Sequence, residues 1–351
     1  MDTKIWGITS EDVKTPLTSE TTSKLEEIKL AYEYGEIVAI PTETVYGLGG
    51  DATNPEAIGK IFHAKNRPGD NPLIVHIHNY EQLESFTSYV DDKVKKLMDH
   101  FWPGPISFIL PLKDGVLASS TVAEMDSVAV RMPSHPVARK ILEYTRIPIA
   151  APSANLSGKP SPTDAGHVIN DLNGEIFGIV VSEQSEIGLE STVLDCTQFP
   201  YKIARPGHIS IDELQEVLEA EILEHQDTME RPISPGMKYK HYAPRQPMIV
   251  IEGGINSNTN LKVPDDISKE KVGVIAPETV RQYVDKNMQF VSLCRDEESY
   301  REAAKNLYAA LRHMDASDVE IIYIYGFKQT SETEALMNRI YKATGNTIIK
   351  G

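Results

Sequence analysis

The sequence predicts an α/β protein with two domains, and three observations support this prediction. Apolar runs of strand length alternate with segments whose apolar residues recur at helical spacing, most regularly after residue 247. A length of 351 residues is enough for two hydrophobic cores. Residues 224–247 contain four prolines and no apolar period, which is typical of a boundary between domains.

The amino-acid composition limits the classes of protein to which the chain can belong. A hydrophobic fraction of 40% is typical of a globular chain, and no window approaches about 18 uncharged apolar residues, so no membrane span is expected. The first residues lack the pattern of a signal peptide, and two cysteines, Cys196 and Cys294, are too few for a metal cluster. Both observations favour the cytoplasm. The net charge of −16 argues against non-specific nucleic-acid binding over the whole surface but allows a local basic pocket.

The N-terminal region is expected to contain one helix and one strand. Residues 1–18 show no regular pattern and are interpreted as an irregular lead-in. Residues 19–34 have apolar side chains at helical spacing, and Gly35 suits the position after a helix end. Residues 37–40 are a short apolar run before a proline, which predicts a buried strand.

Residues 36–78 organise the first domain as a strand, a polar loop, a helix and a second strand. The loop, residues 42–50, is rich in hydroxyls and in glycines, which let a backbone approach a ligand closely. The helix ends near Lys65 and Arg67, and His76 lies in the apolar run that follows. One interpretation is a binding site at the strand ends. The alternative is a plain structural unit, because cations at a helix C-terminus interact favourably with the helix dipole.

The remainder of the first domain continues this alternation. Helices are predicted within residues 80–100, 135–145, 164–172 and 211–220, and strands at residues 106–110, 127–131, 178–183, 191–196 and 202–207. Residues 152–163 form a loop of turn-forming residues between a strand and a helix, with a flexible linker as the alternative interpretation. Ser210 and Glu213 have the spacing of a capping box at the beginning of the last of these helices.

The C-terminal region predicts a smaller, Rossmann-like domain. Strands are predicted at residues 248–253, 271–277, 290–295 and 319–327, and helices at residues 277–287, 299–316 and 332–345. Strands that alternate with helices are typical of a parallel sheet. Neither G-x-G-x-x-G nor G-x-x-x-x-G-K-[ST] occurs in this region, so it has no nucleotide fingerprint, and a regulatory or lid role is the default interpretation.

Polar side chains gather at the predicted strand ends and loops of the first domain. They are Thr42, Thr44, Lys65, Arg67, His76, Thr121, Arg131, Ser153, Asn155, Ser161, Ser191 and Arg205. Cations among many hydroxyl donors suit a polyphosphate or a carboxylate ligand. The G-x-S-x-G and H-E-x-x-H motifs of activated nucleophiles and metalloproteases are missing. The residues therefore favour charge neutralisation and positioning in an anion-binding enzyme that handles ATP-type phosphates.

Eight motifs in order connect these residues to a known family. Between residues 41 and 207 they are PTETVYGLGGDA, K-x-R-P, NPLIVHI, FWPGPISFIL, VAVRMP, APSANLSG, GLESTV and RPG. Together they resemble the threonylcarbamoyl-adenylate synthase family, with K-x-R at residues 65–67 and S-x-N at residues 153–155. The SPG-K-Y-HYAP segment and the C-terminal domain resemble the longer, two-domain form of that enzyme.

The resemblance implies a fold and a division into domains. Residues 1–210 are expected to be a YrdC-like domain, with a twisted mixed sheet and helices around a concave, positively lined cavity. Residues 211–247 are expected to be a helix followed by a proline-rich, basic linker that is able to cover the active site. Residues 248–351 are expected to be the Rossmann-like domain.

The resemblance also implies a reaction. L-threonine, bicarbonate or CO₂, and ATP would give threonylcarbamoyl-AMP and pyrophosphate, for the N6-threonylcarbamoyladenosine modification of tRNA. Mg²⁺ would be brought by ATP, with no dedicated metal site in the protein. A tRNA threonylcarbamoyl-transferase complex would take the product, and the expected location is the cytoplasm.

Individual residues receive roles from the same resemblance. Lys65 and Arg67 would be catalytic because they neutralise the triphosphate. Nucleotide binding would involve Lys65, Arg67, Ser153, Asn155, Ser161 and Arg205, with Tyr239 and His241 from the linker. Threonine binding would involve Thr42, His76, Thr121, Arg131 and Ser191. A lone histidine in an apolar strand is also a common core residue, so His76 keeps that alternative.

Three other interpretations stay open. A concave basic face of this fold could bind double-stranded RNA by shape and phosphate contacts. A carbamoyl-transfer factor of hydrogenase maturation shares the domain, but it would need zinc-finger cysteines, and the chain has two cysteines in total. A third alternative is a scaffold in which the C-terminal domain docks partners, and truncation at about residue 210 would discriminate it from an enzyme.

Overall fold

The computed structural model describes residues 2–69, 71–224, 242–257, 259, 261 and 263–351. They divide into two compact units. The first unit takes the described residues up to 224, except 158–161 and 187–189, and the second unit takes these two short segments and the described residues from 242 onward. The predicted domain boundaries and the predicted covering role of the linker stay predictions.

The described residues of the first unit form a ten-stranded mixed sheet. In chain order its strands are β1 (Lys4–Gly7), β2 (Val38–Ile40), β3 (Gly47–Asp51), β4 (Ile74–His76), β5 (Ile106–Pro111), β6 (Ser127–Arg131), β7 (Ile149–Ala150), β8 (Gly178–Val181), β9 (Thr192–Asp195) and β10 (Lys202–Arg205). Across the sheet their order is β1-β8-β2-β3-β7-β4-β6-β5-β9-β10. β4 and β6 run parallel, whereas β5 and β6 are antiparallel. The prediction of a mixed sheet is confirmed.

Each α helix in the described part of the first unit begins at a residue whose side chain accepts a hydrogen bond from the helix backbone. The helices are α1 (Ser19–Glu33), α2 (Pro55–Ala64), α3 (Tyr80–Glu84), α4 (Asp92–Phe101), α5 (Pro136–Thr145), α6 (Ala165–Leu172) and α7 (Ile211–Leu218). The capping residues are Thr18, Asn54, Asn79, Asp91, His135, Asp164 and Ser210. The predicted capping box of Ser210 and Glu213 is confirmed, and Leu214 and Leu218 attach α7 to the core of this unit.

Two strands correct the sequence-based expectations. The expected loop at residues 42–50 is wrong for residues 47–50, which belong to β3 and pair with β2. Glycine is required here by close packing, because a Cβ on Gly49 would lie 2.6 Å from Tyr32 Oη. The expected irregular lead-in is wrong for Lys4–Gly7, which form β1. Only one residue of that strand, Trp6, is buried, so no apolar run marks it.

Side chains of the middle strands alternate between the two faces of the sheet. One face enters the larger hydrophobic core through Val75, Val130, Phe108 and Leu194. The opposite face carries a small apolar cluster of Ile74, Ile109, Ala129, Val193 and Ala204. His76, Arg131 and Ser107 share this second face, since each lies two positions from a member of the cluster on its own strand.

The described residues of the second unit form a five-stranded sheet in which every registered pair is parallel. Its strands are β11 (Met248–Glu252), β12 (Val272–Ala276), β13 (Gln289–Ser292), β14 (Ile321–Tyr325) and β15 (Ile348–Lys350), in the order β13-β12-β14-β11-β15. Its α helices are α8 (Tyr300–Ala316) and α9 (Glu334–Thr344). The prediction of a parallel α/β domain is confirmed.

One predicted helix of the second unit is wrong. Within residues 277–287 the structure has a short 3₁₀ helix, Glu278–Tyr283, and no α helix. The 3₁₀ segment buries only Val280, so it lacks the apolar stripe that holds an α helix against a sheet.

Among all the described residues, no helix has both the length and the apolarity that crossing a membrane requires.

Candidate active site

A row of registered residues crosses the middle of the first sheet. His76 on β4 pairs with Arg131 on β6, and Arg131 pairs with Ser107 on β5. Ser107 is in register with Val193, which is in register with Arg205 on β10. Residues in register point to the same face of a sheet. The sheet thus brings together predicted site residues that are far apart in the sequence.

Arg131 is buried and has contacts from three sides. Its Nε donates to the carbonyl oxygen of Gly104 at 3.3 Å, and its Nη1 donates to Thr44 Oγ1 at 2.9 Å. Its Nη2 lies 2.6 Å from Glu43 Oε1, and both side chains of this ion pair are 5% exposed. Burial acts to raise the pKa of Glu43, but the charge and hydrogen bonding of Arg131 hold that pKa below its usual range. The contact with Arg131 therefore favours the ionised form of Glu43.

His76 is an uncharged neighbour of this cation. It is buried, and its Nδ1 lies 3.2 Å from the carbonyl oxygen of Ile74. Burial, helped by the positive charge of Arg131, lowers the pKa of His76 to about 3. Its predicted role toward threonine stays a prediction, and the neutral ring is equally what a core histidine requires.

Ser191 and Arg205 lie together next to the row. Nη2 of Arg205 donates to the carbonyl oxygen of Ser191 at 2.9 Å and to its Oγ at 3.1 Å. Ser191 Oγ is also 2.9 Å from Ser107 Oγ. Ser107, which the sequence reasoning missed, thus contacts the predicted residue Ser191 and lies in register with the predicted residue Arg131. The signal for Ser107 was a single hydroxyl in the otherwise apolar strand of FWPGPISFIL.

Gly207, the glycine of the RPG motif, is required for steric reasons. A Cβ on Gly207 would lie 2.1 Å from the backbone nitrogen of Thr192, at the beginning of β9. The chain after β10 thus passes against the backbone that follows Ser191. Thr192 Oγ1 reinforces this crossing by donating to the carbonyl oxygen of Ile209 at 2.7 Å.

Lys65 joins the K-x-R segment to the S-x-N segment. Lys65 is buried directly after α2, and its Nζ donates to the carbonyl oxygens of Ser153 and Asn155, the latter at 2.7 Å. The backbone N–H of Ser157 donates in return to the carbonyl oxygen of Lys65 at 2.9 Å. Arg67 is half-buried, with its guanidinium 5.9 Å from the centre of the Phe62 ring. The two segments, with Lys65 and Ser153 88 residues apart, are therefore neighbours.

Strand β3 forms the wall beside the S-x-N segment. Leu48 donates its N–H to the carbonyl oxygen of Pro152 at 2.7 Å, and Ala154 donates to that of Tyr46 at 2.9 Å. Gly47 and Ser153 form an isolated antiparallel bridge. The PTETVYGLGG motif thus supports the loop of Ser153 through its backbone.

The remaining predicted residues have mainly structural contacts. Thr42 is buried, and its hydroxyl donates to the carbonyl oxygen of Val45 at 2.6 Å. Thr121 is buried, and its hydroxyl donates to the carbonyl oxygen of Ala52 at 2.9 Å. Ser161 is buried and belongs to the second unit. Tyr239 and His241 lie outside the described residues. Binding roles for all of these residues stay predictions.

The site has the chemistry of an anion receptor. Arg131, Arg205 and Lys65 are buried cations that their contacts hold in place. Within the part of the chain that the structure describes, no group of three or more His, Cys, Asp or Glu side chains is placed to hold a metal ion. The arrangement can bind carboxylate and phosphate groups by charge and hydrogen bonds.

Two family models match the chain. Residues 31–207 match the Sua5/YciO/YrdC model, described as telomere recombination, and residues 209–345 match the model of the threonylcarbamoyl-AMP synthase C-terminal domain. A threonylcarbamoyl-AMP synthase of Bacillus subtilis is 42% identical over 352 residues and covers 100% of both chains. One of Pyrococcus abyssi is also 42% identical, covering 90% of this chain and 92% of its own.

A solved structure supports the same grouping. The crystal structure of P. abyssi Sua5 complexed with L-threonine superposes with a TM-score of 0.85 at 37% identity, covering 99% of this chain and 100% of that one. E. coli YciO, at 18% identity and a TM-score of 0.52, shares the fold over 60% of this chain. These similarities do not favour the interpretation as a double-stranded RNA-binding module.

Proposed function

The chain belongs to the Sua5/YciO/YrdC family, in the form that carries the Sua5 C-terminal domain, and on this basis we propose that it is a threonylcarbamoyl-AMP synthase. Its substrates are L-threonine, bicarbonate or CO₂, and ATP, and its products are threonylcarbamoyl-AMP and pyrophosphate. The full-length similarity to curated synthases supports this activity, as does the relative that was crystallised with L-threonine.

The observation that carries the proposal is the contact between Lys65 and the S-x-N segment. Lys65 Nζ lies at the carbonyl oxygens of Ser153 and Asn155, and Arg67 follows two residues later. A fixed cation beside hydroxyl and amide donors suits a triphosphate. We assign Lys65 and Arg67 to charge neutralisation, and Ser153, Asn155, Ser161 and Arg205 to nucleotide binding. Tyr239 and His241 are assigned to the same nucleotide.

The threonine side is assigned to the loop after β2 and to the row across the sheet. Arg131 receives the carboxylate of threonine, because a guanidinium can bind a carboxylate through two hydrogen bonds. Thr42, His76 and Ser191 complete this side, with Thr121 as a further predicted member. Since the pKa of His76 is lowered to about 3, its ring is neutral and adds no second positive charge beside Arg131.

The chemistry proceeds in two steps. The neutral amine of threonine attacks CO₂, or bicarbonate with loss of water, and the nitrogen releases its proton as the carbamate forms. A carbamate oxygen then attacks the α-phosphorus in line, and the bond to the leaving pyrophosphate breaks. Lys65 and Arg67 stabilise the charge that develops on the phosphates. Mg²⁺ brought with ATP would neutralise phosphate oxygens and would need few protein ligands.

The product is an activated carbamoyl donor, so a second enzyme must accept it. We assign this step to a tRNA threonylcarbamoyl-transferase complex that makes N6-threonylcarbamoyladenosine. An enzyme whose product is used to modify tRNA is expected in the cytoplasm.

Pyrophosphate release tests the proposed function. We expect release from ATP only when L-threonine and bicarbonate are both present, and a loss of at least about a hundredfold in the variant Lys65→Ala with Arg67→Ala. Lys60→Ala is the matched control, because Lys60 lies on α2, the helix that precedes Lys65, and forms a half-buried ion pair with Glu36 at 2.8 Å. Release by the unaltered protein no greater than that of the double variant would contradict the proposal.

A further inference from the structure

Glu43 is a buried acid that received no role from the motifs. It lies in the loop after β2, directly after Thr42. One carboxylate oxygen, Oε1, lies 2.6 Å from Arg131 Nη2, and the other, Oε2, accepts from the backbone N–H of His135 at 3.4 Å. Glu43 therefore connects the guanidinium to the beginning of α5.

Arg131 needs such a partner because a buried cation without a negative charge nearby is strongly destabilising. Its register partners on the adjacent strands, His76 and Ser107, carry no negative charge. Thr44 and Gly104 offer neutral oxygen atoms. Among the described contacts of Arg131, the carboxylate of Glu43 is the one full negative charge.

The same contacts fix the orientation of the guanidinium. Gly104, Thr44 and Glu43 approach Nε, Nη1 and Nη2 respectively, so each nitrogen has one partner among the described residues. An arginine has more N–H donors than these three contacts use. The remaining donors on the terminal nitrogens are held in a fixed direction and are sufficient for a carboxylate.

We propose that Glu43 is a positioning residue for threonine binding, whose carboxylate holds Arg131 in the orientation that receives the carboxylate of the amino-acid substrate. The inference rests on the proposed function, because it assigns Arg131 to threonine. Glu43 acts through Arg131 and does not itself contact the substrate. Its loss therefore weakens the use of threonine and leaves the use of ATP unchanged.

Steady-state pyrophosphate release by the full-length chain tests this split. We expect Glu43→Gln, which keeps the shape and removes the charge, to lower kcat/KM for threonine at least about tenfold while KM for ATP stays within about twofold. Glu43→Asp, which restores the charge, should recover part of the loss. Glu143→Gln is the matched control and should change neither constant, since Glu143 is an exposed acid paired with Lys140.

A double variant separates positioning from a general loss of structure. If Glu43 acts through Arg131, then adding Glu43→Gln to Arg131→Gln should not lower kcat/KM for threonine further. A second loss of about tenfold in that background would overturn the proposal, as would equal losses for threonine and ATP in Glu43→Gln alone. If calorimetry detects no binding of L-threonine to the unaltered protein, the proposed function fails first, and the assignment of Glu43 fails with it.

Discussion

The two sheets of the molecule place their polar residues differently. In the first sheet, His76, Arg131 and Ser107 form a buried row across three adjacent strands. In the second sheet, the described inner strands β12 and β14 carry no charged residue at the positions where they are in register with each other, and the inner strand β11 carries one registered charge, at its end. Its charged registered pair is Glu252 with Lys350, where β11 meets the edge strand β15.

On the proposed function, this difference separates a sheet that is packed for stability from a sheet that holds a binding site. A buried charge must be compensated by a partner, and an apolar residue in its place is often as stable or more stable. The second sheet has uncharged residues at the registered positions of β12 and β14, which is the more stable arrangement. The first unit instead buries Arg131 of β6 against Glu43 of the loop after β2, an arrangement that gains little stability and is in keeping with the proposed binding of a carboxylate ligand.

The largest expected effect comes from breaking this ion pair. Glu43→Met should lower the free energy of unfolding of the first unit by about 3 kcal/mol or more, because it leaves Arg131 buried without a negative partner. Adding Arg131→Met should restore the free energy to within about 1 kcal/mol of the unaltered protein. Urea unfolding followed by tryptophan fluorescence measures this, since the two tryptophans, Trp6 and Trp102, both lie in the first unit.

The double variant decides between stability and function. We expect it to be folded and unable to bind L-threonine by calorimetry. A double variant as unstable as Glu43→Met alone would mean that the ion pair stabilises the sheet, and the contrast with the second sheet would then be lost.

Much of the fold could be predicted because its elements carry local signals. Apolar alternation and caps predicted four of the five described strands of the second sheet and the helices of the first unit, including the capping box of Ser210, whereas the short edge strand Ile348–Lys350 was not predicted. β3 was not predicted because its glycines are typical of a loop, whereas in the structure Gly49 allows close contact with Tyr32. β1 was not predicted because it buries only Trp6. Both strands depend on distant neighbours, which local periodicity does not report.

The candidate site could be predicted only in part, for the same reason. Motif spacing led to Lys65 and Asn155, which the structure places in contact. It gave no role to Glu43 or Ser107, because their importance arises from the register that places β5 beside β6 and from the loop that meets Arg131. Partners in such a network are set by the sheet order, and no local pattern encodes that order.

A smaller effect is expected from pH, and it concerns His76. The folded protein lowers the pKa of His76 from 6.5 to about 3, so between these values the unfolded chain binds a proton that the folded protein does not. The contribution of His76 to stability is therefore complete above pH 6.5 and declines as the pH falls toward 3. The slope from this one group is about 1.4 kcal/mol per pH unit.

Comparison of unfolding free energies between about pH 5 and about pH 6 tests this expectation. The variant His76→Asn should have a shallower slope than the unaltered protein in the first unit, and His100→Asn, on an exposed residue, is the control. Identical slopes for His76→Asn and the unaltered protein would contradict the assignment of His76 as a buried, neutral histidine beside Arg131.

The smallest expected effect concerns helix caps, in which the two units also differ. Ser210 caps α7 through its side chain, whereas Ser299, at the beginning of α8, donates to Asp296 Oδ1 at 2.6 Å and makes no capping bond to the described helix. Ser210→Ala should lower the local unfolding free energy by about 1 kcal/mol, and Ser299→Ala by less than about 0.5 kcal/mol. Hydrogen exchange of the first-turn amides measures both changes. Equal losses of local unfolding free energy in the two variants would show that capping does not distinguish the units. The buried charge of the first sheet would then be the remaining difference between them.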